Sequence, residues 1–207
     1  ALRLTVLLEF PAVAGLYLLA GPIMSLLYDV PEAGPILAAL AASCLFLGLH
    51  QTTASILQGL GRSDLPVWSL MVGAAAKVVL TYVLTGLPAF GIRGAAWATV
   101  ATFAVAAALN AHFINRLVGL PWNFKELILK PILATAGMGA IVVFGYRAVE
   151  PVLGNNWATL IAIGLGIVGY GVMLLVVRAV RAEDLALFTS LGKKLFRRLR
   201  PRDSKRR

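Results

Sequence analysis

Apolar residues gather in long runs, and short clusters of proline, glycine and charge separate them. Crossing a hydrocarbon core about 30 Å thick takes about 20 mostly apolar residues in a helix. Six stretches meet that length: 5–28, 34–60, 66–87, 92–117, 127–149 and 157–177. The separators "DVPEAG", "GRSD" and "PAFG" leave room only for turns, so the first four spans are expected as antiparallel neighbours in a compact bundle. The pattern predicts an all-α integral membrane protein, a bundle of six transmembrane helices plus a C-terminal amphipathic helix.

Composition agrees. The 207 residues are 59% hydrophobic and 14% charged, and the mean hydropathy of +0.85 lies far outside the balance of a soluble domain. The net charge of +10 is unevenly placed: from Arg178 onward, eleven basic residues face only Glu183, Asp184 and Asp203. The basic signal belongs to a tail and does not make the apolar body a nucleic-acid binder. Arg3, Arg62, Arg116, Lys125, Lys130 and the tail fall on one side of the predicted spans. Arg93 and Arg147 fall on the other, with Asp29, Glu32 and Glu150. The positive-inside rule then places both ends of this multi-pass chain in the cytoplasm. A single cysteine, Cys44, excludes an intrachain disulfide or a multi-cysteine metal site. The opening "ALRLTVLLEF" lacks an initiating Met, and Glu9 and Pro11 interrupt its apolar run, which does not suit a cleaved signal peptide. We expect the later part of a longer protein.

In the tail, Leu185, Phe188, Leu191, Leu195 and Leu199 recur at helical spacing, with acids at the start and basic residues at the end. This predicts an amphipathic helix, disordered from Pro201, on an anionic leaflet. Lys193, Lys194, Arg197 and Arg198 would bind that surface, each contributing about 1 kcal/mol. The alternative is a disordered solubilising tail.

Within the spans, Lys77 stands 11 residues past Pro66, about 16 Å along a helix at 1.5 Å per residue. A charge at that depth costs about 3 kcal/mol and is expected to face protein or water rather than lipid. Gly73 and Thr81, at spacing four, would supply room and a partner on that face. Lys77 would hold an anionic ligand in a cavity or form a structural ion pair. Glu9, near the start of the first span, reads as a proton or cation carrier or as an interfacial carboxylate. His50 and Gln51 on the second span, and Asn110 and His112 on the fourth, come out at similar depth, with Thr99, Thr102, Ala106 and Asn110 forming a stripe. Glu9, His50 or Gln51, and Asn110 would converge on one polar patch, or act as interhelical hydrogen bonds worth about 0.6 kcal/mol each. The chain carries no HExxH, GxSxG or Walker loop and no paired catalytic carboxylates. Neither an enzyme nor a cofactor or metal site is expected.

Two segments, "SILQGLGRSDLPVWSLMVGAAAKVVLTYVL" and "GIRGAAWATV" with its following "LNAHFINRLVG", resemble the C-terminal half of polysaccharide-biosynthesis flippases. The group is the stage V sporulation protein B-like proteins of the multidrug/oligosaccharidyl-lipid/polysaccharide superfamily. "EFPAVAGLYLLAGPIMSLLY" and "EDLALFTSLGKKLFRRL" are similar as well. The resemblance implies a bacterial plasma-membrane transporter that moves an undecaprenyl-type lipid-linked anionic glycan by alternating access between two bundles. It makes residues 1–120 four helices of the second bundle, 121–180 a lipid-groove pair and 181–207 the cytoplasmic helix and basic tail. Lys77 falls on the lysine of the motif, where a cation suits a pyrophosphate; the implied partners are that lipid, anionic membrane lipids and the missing N-terminal half. Family members have about twice as many spans, so this chain alone is expected not to flip lipid. Rival readings are a cation-coupled multidrug exporter, an integral membrane enzyme on lipid carriers, which the short loops disfavour, and a membrane scaffold that would tolerate Lys77→Leu.

Overall fold

The computed structural model describes residues 2–119 and 129–176. The expected tail helix, with Lys193, Lys194, Arg197 and Arg198, lies outside the described residues, as do 120–128 and residue 177. Among the described residues every regular element is helical: α1 (Leu2–Leu18), α2 (Ala20–Tyr28), a 3-10 turn (Pro31–Ala33), α3 (Gly34–Gly59), α4 (Asp64–Gly86), α5 (Arg93–Val118) and α6 (Lys130–Val176). By length and apolarity four helices can cross a membrane, or five when α1 and α2 count as one bent span.

The first expected span, 5–28, is not one straight helix. α1 and α2 meet at 68°, where Leu19 leaves helical geometry (φ −99, ψ 13). Pro22 causes the break: it has no N–H for the Leu18 carbonyl, and its ring crowds that carbonyl. Pro11 also lies inside α1, yet the helix continues through it. The carbonyl it leaves without a helical donor, that of Leu7, accepts the Tyr170 hydroxyl at 2.6 Å in a buried contact.

α6 runs for 47 residues, about 70 Å of helix and more than twice the apolar thickness of a bilayer. It is interrupted at Gly154 (φ 74, ψ 171), a conformation open to glycine alone. On either side the chain doubles back: Gly137 lies against Met173, Ile141 against Gly169, Val142 against Gly166 and Gly145 against Leu165. Numbers rise on one arm as they fall on the other, the mark of an antiparallel pair. These arms occupy the stretch where two spans, 127–149 and 157–177, were expected. The count of six therefore depends on taking the doubled-back helix as two.

The helices form a row. α4 packs on α5, α5 on α3, α3 on α1 and α1 on α6, while α2 lies against α3 and α6. Lipid tails are as apolar as leucine, so close packing rather than water exclusion joins such helices, and small residues let backbones approach. Gly73 of α4 sits so close to the Thr102 carbonyl that an added Cβ would lie 2.6 Å from it; Gly94 of α5 likewise abuts the backbone at Leu84 and Thr85. At the other end, Leu19, Ala134, Met138, Val142, Ala162 and Tyr170 form a core where α1 meets the α6 hairpin. α4 ends the row, and its outer face is open: Val78 is 72% exposed and Tyr82 85%.

Candidate functional site: a cationic edge, a polar interior and two apolar grooves

Lys77 occupies the middle of α4 and is exposed. The expectation that it shares an interior face with Gly73 and Thr81 is corrected. Gly73 is buried on α5 and Thr81 is half-buried, but Lys77 turns away from the neighbouring helices. The reason is its place in the row: α5 is the helix that packs along α4, and the far side has no neighbour among the described residues. The Thr81 hydroxyl is buried without a hydrogen-bond partner there.

His50 and Asn110 do meet. Asn110 is fully buried, and its Nδ2 lies 3.1 Å from His50 Nδ1, the geometry of a ring nitrogen acting as acceptor. The same amide reaches Thr53 Oγ1 at 3.3 Å, while Thr53 donates to the Leu49 carbonyl at 2.7 Å. Asn110 Oδ1 is left buried and unpartnered. Glu9 lies against the same helix, α3, at Gly48 rather than in the His50–Asn110 contact. Thr5 and Thr52 link α1 and α3 at 2.7 Å. Gln51 does not join: it is exposed, and its carbonyl accepts from Ser55 at 2.8 Å. His112 is exposed and meets Phe113 edge-on. Thr99 and Thr102 bond back to the Ala95 and Ala98 carbonyls of their own helix, so of that stripe's polar side chains it is Asn110 that reaches across to α3, where the Ala106 backbone also meets the His50 ring.

Two apolar grooves flank α1. One, of about 440 Å³, runs between α1 and both arms of α6, past Pro11, Gly15, Val142, Gly166 and Ile167. The other, of about 680 Å³, lies between α1, α3 and the first arm, past Phe10, Tyr17, Leu45, Ala136 and Phe144. Neither lining carries a charge, so they suit hydrocarbon chains. Tyr170 closes the first groove against α1. At the hairpin tip the Tyr146 hydroxyl lies 2.9 Å from Asn155 Oδ1, and Asn155 Nδ2 donates to the Pro22 carbonyl at 3.3 Å. Sequence reasoning passed over Tyr170, Thr53, Gly48, Tyr146 and Asn155; for Tyr170 a signal existed, since Pro11 announces a free carbonyl at Leu7. No three metal-ligating side chains cluster among the described residues.

No family model matches the sequence, and no solved structure matches it. Among curated proteins of Bacillus subtilis, the chain is 33% identical over 147 residues to the uncharacterized membrane protein YabM, covering 70% of this chain and 27% of that one. It is 25% identical over 198 residues to stage V sporulation protein B, covering 95% of this chain and 38% of that one. It is 30% identical over 152 residues to the lipid II flippase MurJ, covering 71% of this chain and 27% of that one. The chain thus spans between 27% and 38% of the length of these relatives. Taken with its all-helical fold, these similarities make the chain a homologue of flippases of the multidrug/oligosaccharidyl-lipid/polysaccharide type, over 70–95% of its own length.

Proposed function

We propose that the chain is part of a flippase for lipid-linked oligosaccharide or peptidoglycan precursors, in which Lys77 lines the path of the anionic headgroup. The observation that carries this reading is the exposed mid-helix lysine on the open face of α4. A charge at that depth facing lipid is costly; facing a water-filled cavity shared with the remainder of a longer transporter, it is not. A pyrophosphate in that cavity would meet the Lys77 ammonium group. The grooves on either side of α1 would take the polyprenyl tail by dispersion contacts. In this reading the protein lies in a bacterial plasma membrane with both ends of the chain cytoplasmic. His50, Asn110 and their hydrogen bonds hold α3 to α5 beside the path, and the basic tail binds anionic lipid.

The charge-free grooves and the flippase among the relatives favour this over a cation-coupled drug exporter. In the full-length protein, Lys77→Ala and Lys77→Gln are expected to abolish translocation of the lipid-linked precursor in reconstituted vesicles, while membrane insertion stays normal. Lys77→Arg is expected to retain part of it. Normal translocation by both neutral variants would overturn the assignment and favour the scaffold reading.

A further inference from the structure

We propose that the Glu9 carboxyl, seated in a notch of α3 at Gly48, is a proton-binding site that exchanges with water when α1 and α3 part. The notch exists because residue 48 has no side chain. A Cβ there would overlap Glu9 Cδ and both carboxyl oxygens, so the pair fits as a plug and its seat. Gly48 is buried; Glu9 is half-buried as a residue, and its Oε2 is buried with no hydrogen-bond partner. This goes beyond the Lys77 reading and stands on a different contact, the α1/α3 interface.

Among the described residues, the surrounding groups leave the carboxyl without a counterion. On α3, the His50 ring is engaged with Asn110, and Cys44 is exposed. On α6, the Tyr170 hydroxyl is taken by the Leu7 carbonyl, and neither Lys130 nor Arg147 makes an ion pair with Glu9. α2 offers Tyr28, and α1 itself carries Arg3 and Tyr17; among the described residues no ion pair joins any of them to Glu9. The ion pair among the described residues is Arg62–Asp64, in a distant loop. A carboxylate in apolar surroundings without a cation is far more costly to hold than the neutral acid. Sodium or potassium would need several further oxygens, whereas the nearby hydroxyls of Thr5 and Thr52 already bond to each other. A proton needs only the orphaned oxygen. Opening the interface hydrates the carboxyl and releases the proton; closing it requires the proton back.

The test uses the full chain in lipid vesicles, treated over a pH series with the apolar reagent dicyclohexylcarbodiimide and, in parallel, with a water-soluble carbodiimide. The protonated acid adds its O–H across a C=N bond of the reagent, and the acyl group then shifts from oxygen to nitrogen. The N-acylurea keeps the whole reagent and nothing leaves, so mass spectrometry of peptides locates it. Glu9 is expected to gain about tenfold more apolar adduct than exposed Glu32, with labelling declining as pH rises. Glu9→Gln removes that adduct. Gly48→Ala expels the carboxyl from the notch, so apolar labelling falls severalfold and water-soluble labelling rises. Equal labelling of Glu9 and Glu32 by both reagents in the unaltered chain would overturn the proposal, whether or not Gly48→Ala folds. Indifference of a folded Gly48→Ala protein would overturn it too. Neither readout depends on lipid translocation.

Discussion

At the scale of single residues, the polar groups of the spans divide by what neighbouring helices offer them. Asn110, fully buried, reaches His50 and Thr53 on α3. Lys77, at similar remove from the helix ends, points off the edge of the row. Asn110→Ala leaves the His50 ring nitrogen without its donor and opens a small void between α3 and α5. It is expected to destabilise the bundle by about 1 kcal/mol, within the range of interhelical bonds in membranes. Denaturant unfolding in mixed micelles measures this, with exposed Gln51→Ala as the variant that should show no loss; equal effects from the two would contradict the assignment. Residue type announced that His50 and Asn110 are polar and share a depth. It did not announce that they touch each other while Gln51, one position along α3, faces outward. A step of one residue turns a helix by about 100°, and which face meets α5 is settled by packing.

Among elements, the informative pieces are the two places where a run of helix changes direction. Both are written in the chain as proline or glycine. Pro22 bends α1 into α2, whereas Pro11 is absorbed because a hydroxyl 163 residues away in the chain serves the freed carbonyl. A rule based on proline alone would treat the two alike; the third dimension separates them. At Gly154 the chain reverses, and a Cβ built on Gly169 would lie 3.6 Å from that of Ile141, within the usual Cβ–Cβ range of a disulfide, about 3.5–4.5 Å. Ile141→Cys with Gly169→Cys, in a Cys44→Ser background, is therefore expected to oxidise to an intramolecular disulfide. A gel-mobility or mass shift reads it out. Failure to cross-link in the folded protein would mean that the arms do not lie antiparallel in this register.

For the whole molecule, the row α4–α5–α3–α1–α6 has one end closed by a folded-back hairpin and the other left open. The open end carries Val78, Tyr82 and Lys77, and the chain spans 38% of stage V sporulation protein B and 27% of the lipid II flippase MurJ. Among the described residues this single row has no facing bundle with which to enclose a headgroup alternately from each side. The purified chain in vesicles is accordingly expected to give no translocation of a lipid-linked precursor above protein-free vesicles. Translocation by it would refute the shared-cavity reading of Lys77 and require a second copy to supply the other wall.

The sequence by itself determined the class of the molecule and most of its helix ends. Hydropathy over about 20 residues is a property of composition and length, and prolines, glycines and charges mark interruptions locally. Hence the predicted 34–60, 66–87 and 92–117 lie close to α3, α4 and α5. The polar positions worth attention were legible for the same reason: a lysine, glutamate, histidine or asparagine stands out in an apolar run. Tertiary structure alone decided which of these meet, which carbonyl Tyr170 serves, and that Glu9 fills the space of a missing side chain at Gly48. It also decided that Lys77 lies on an edge rather than within this bundle. Those outcomes depend on contacts between residues dozens to more than a hundred positions apart and on the order of helices in the row, neither of which hydrophobic periodicity encodes.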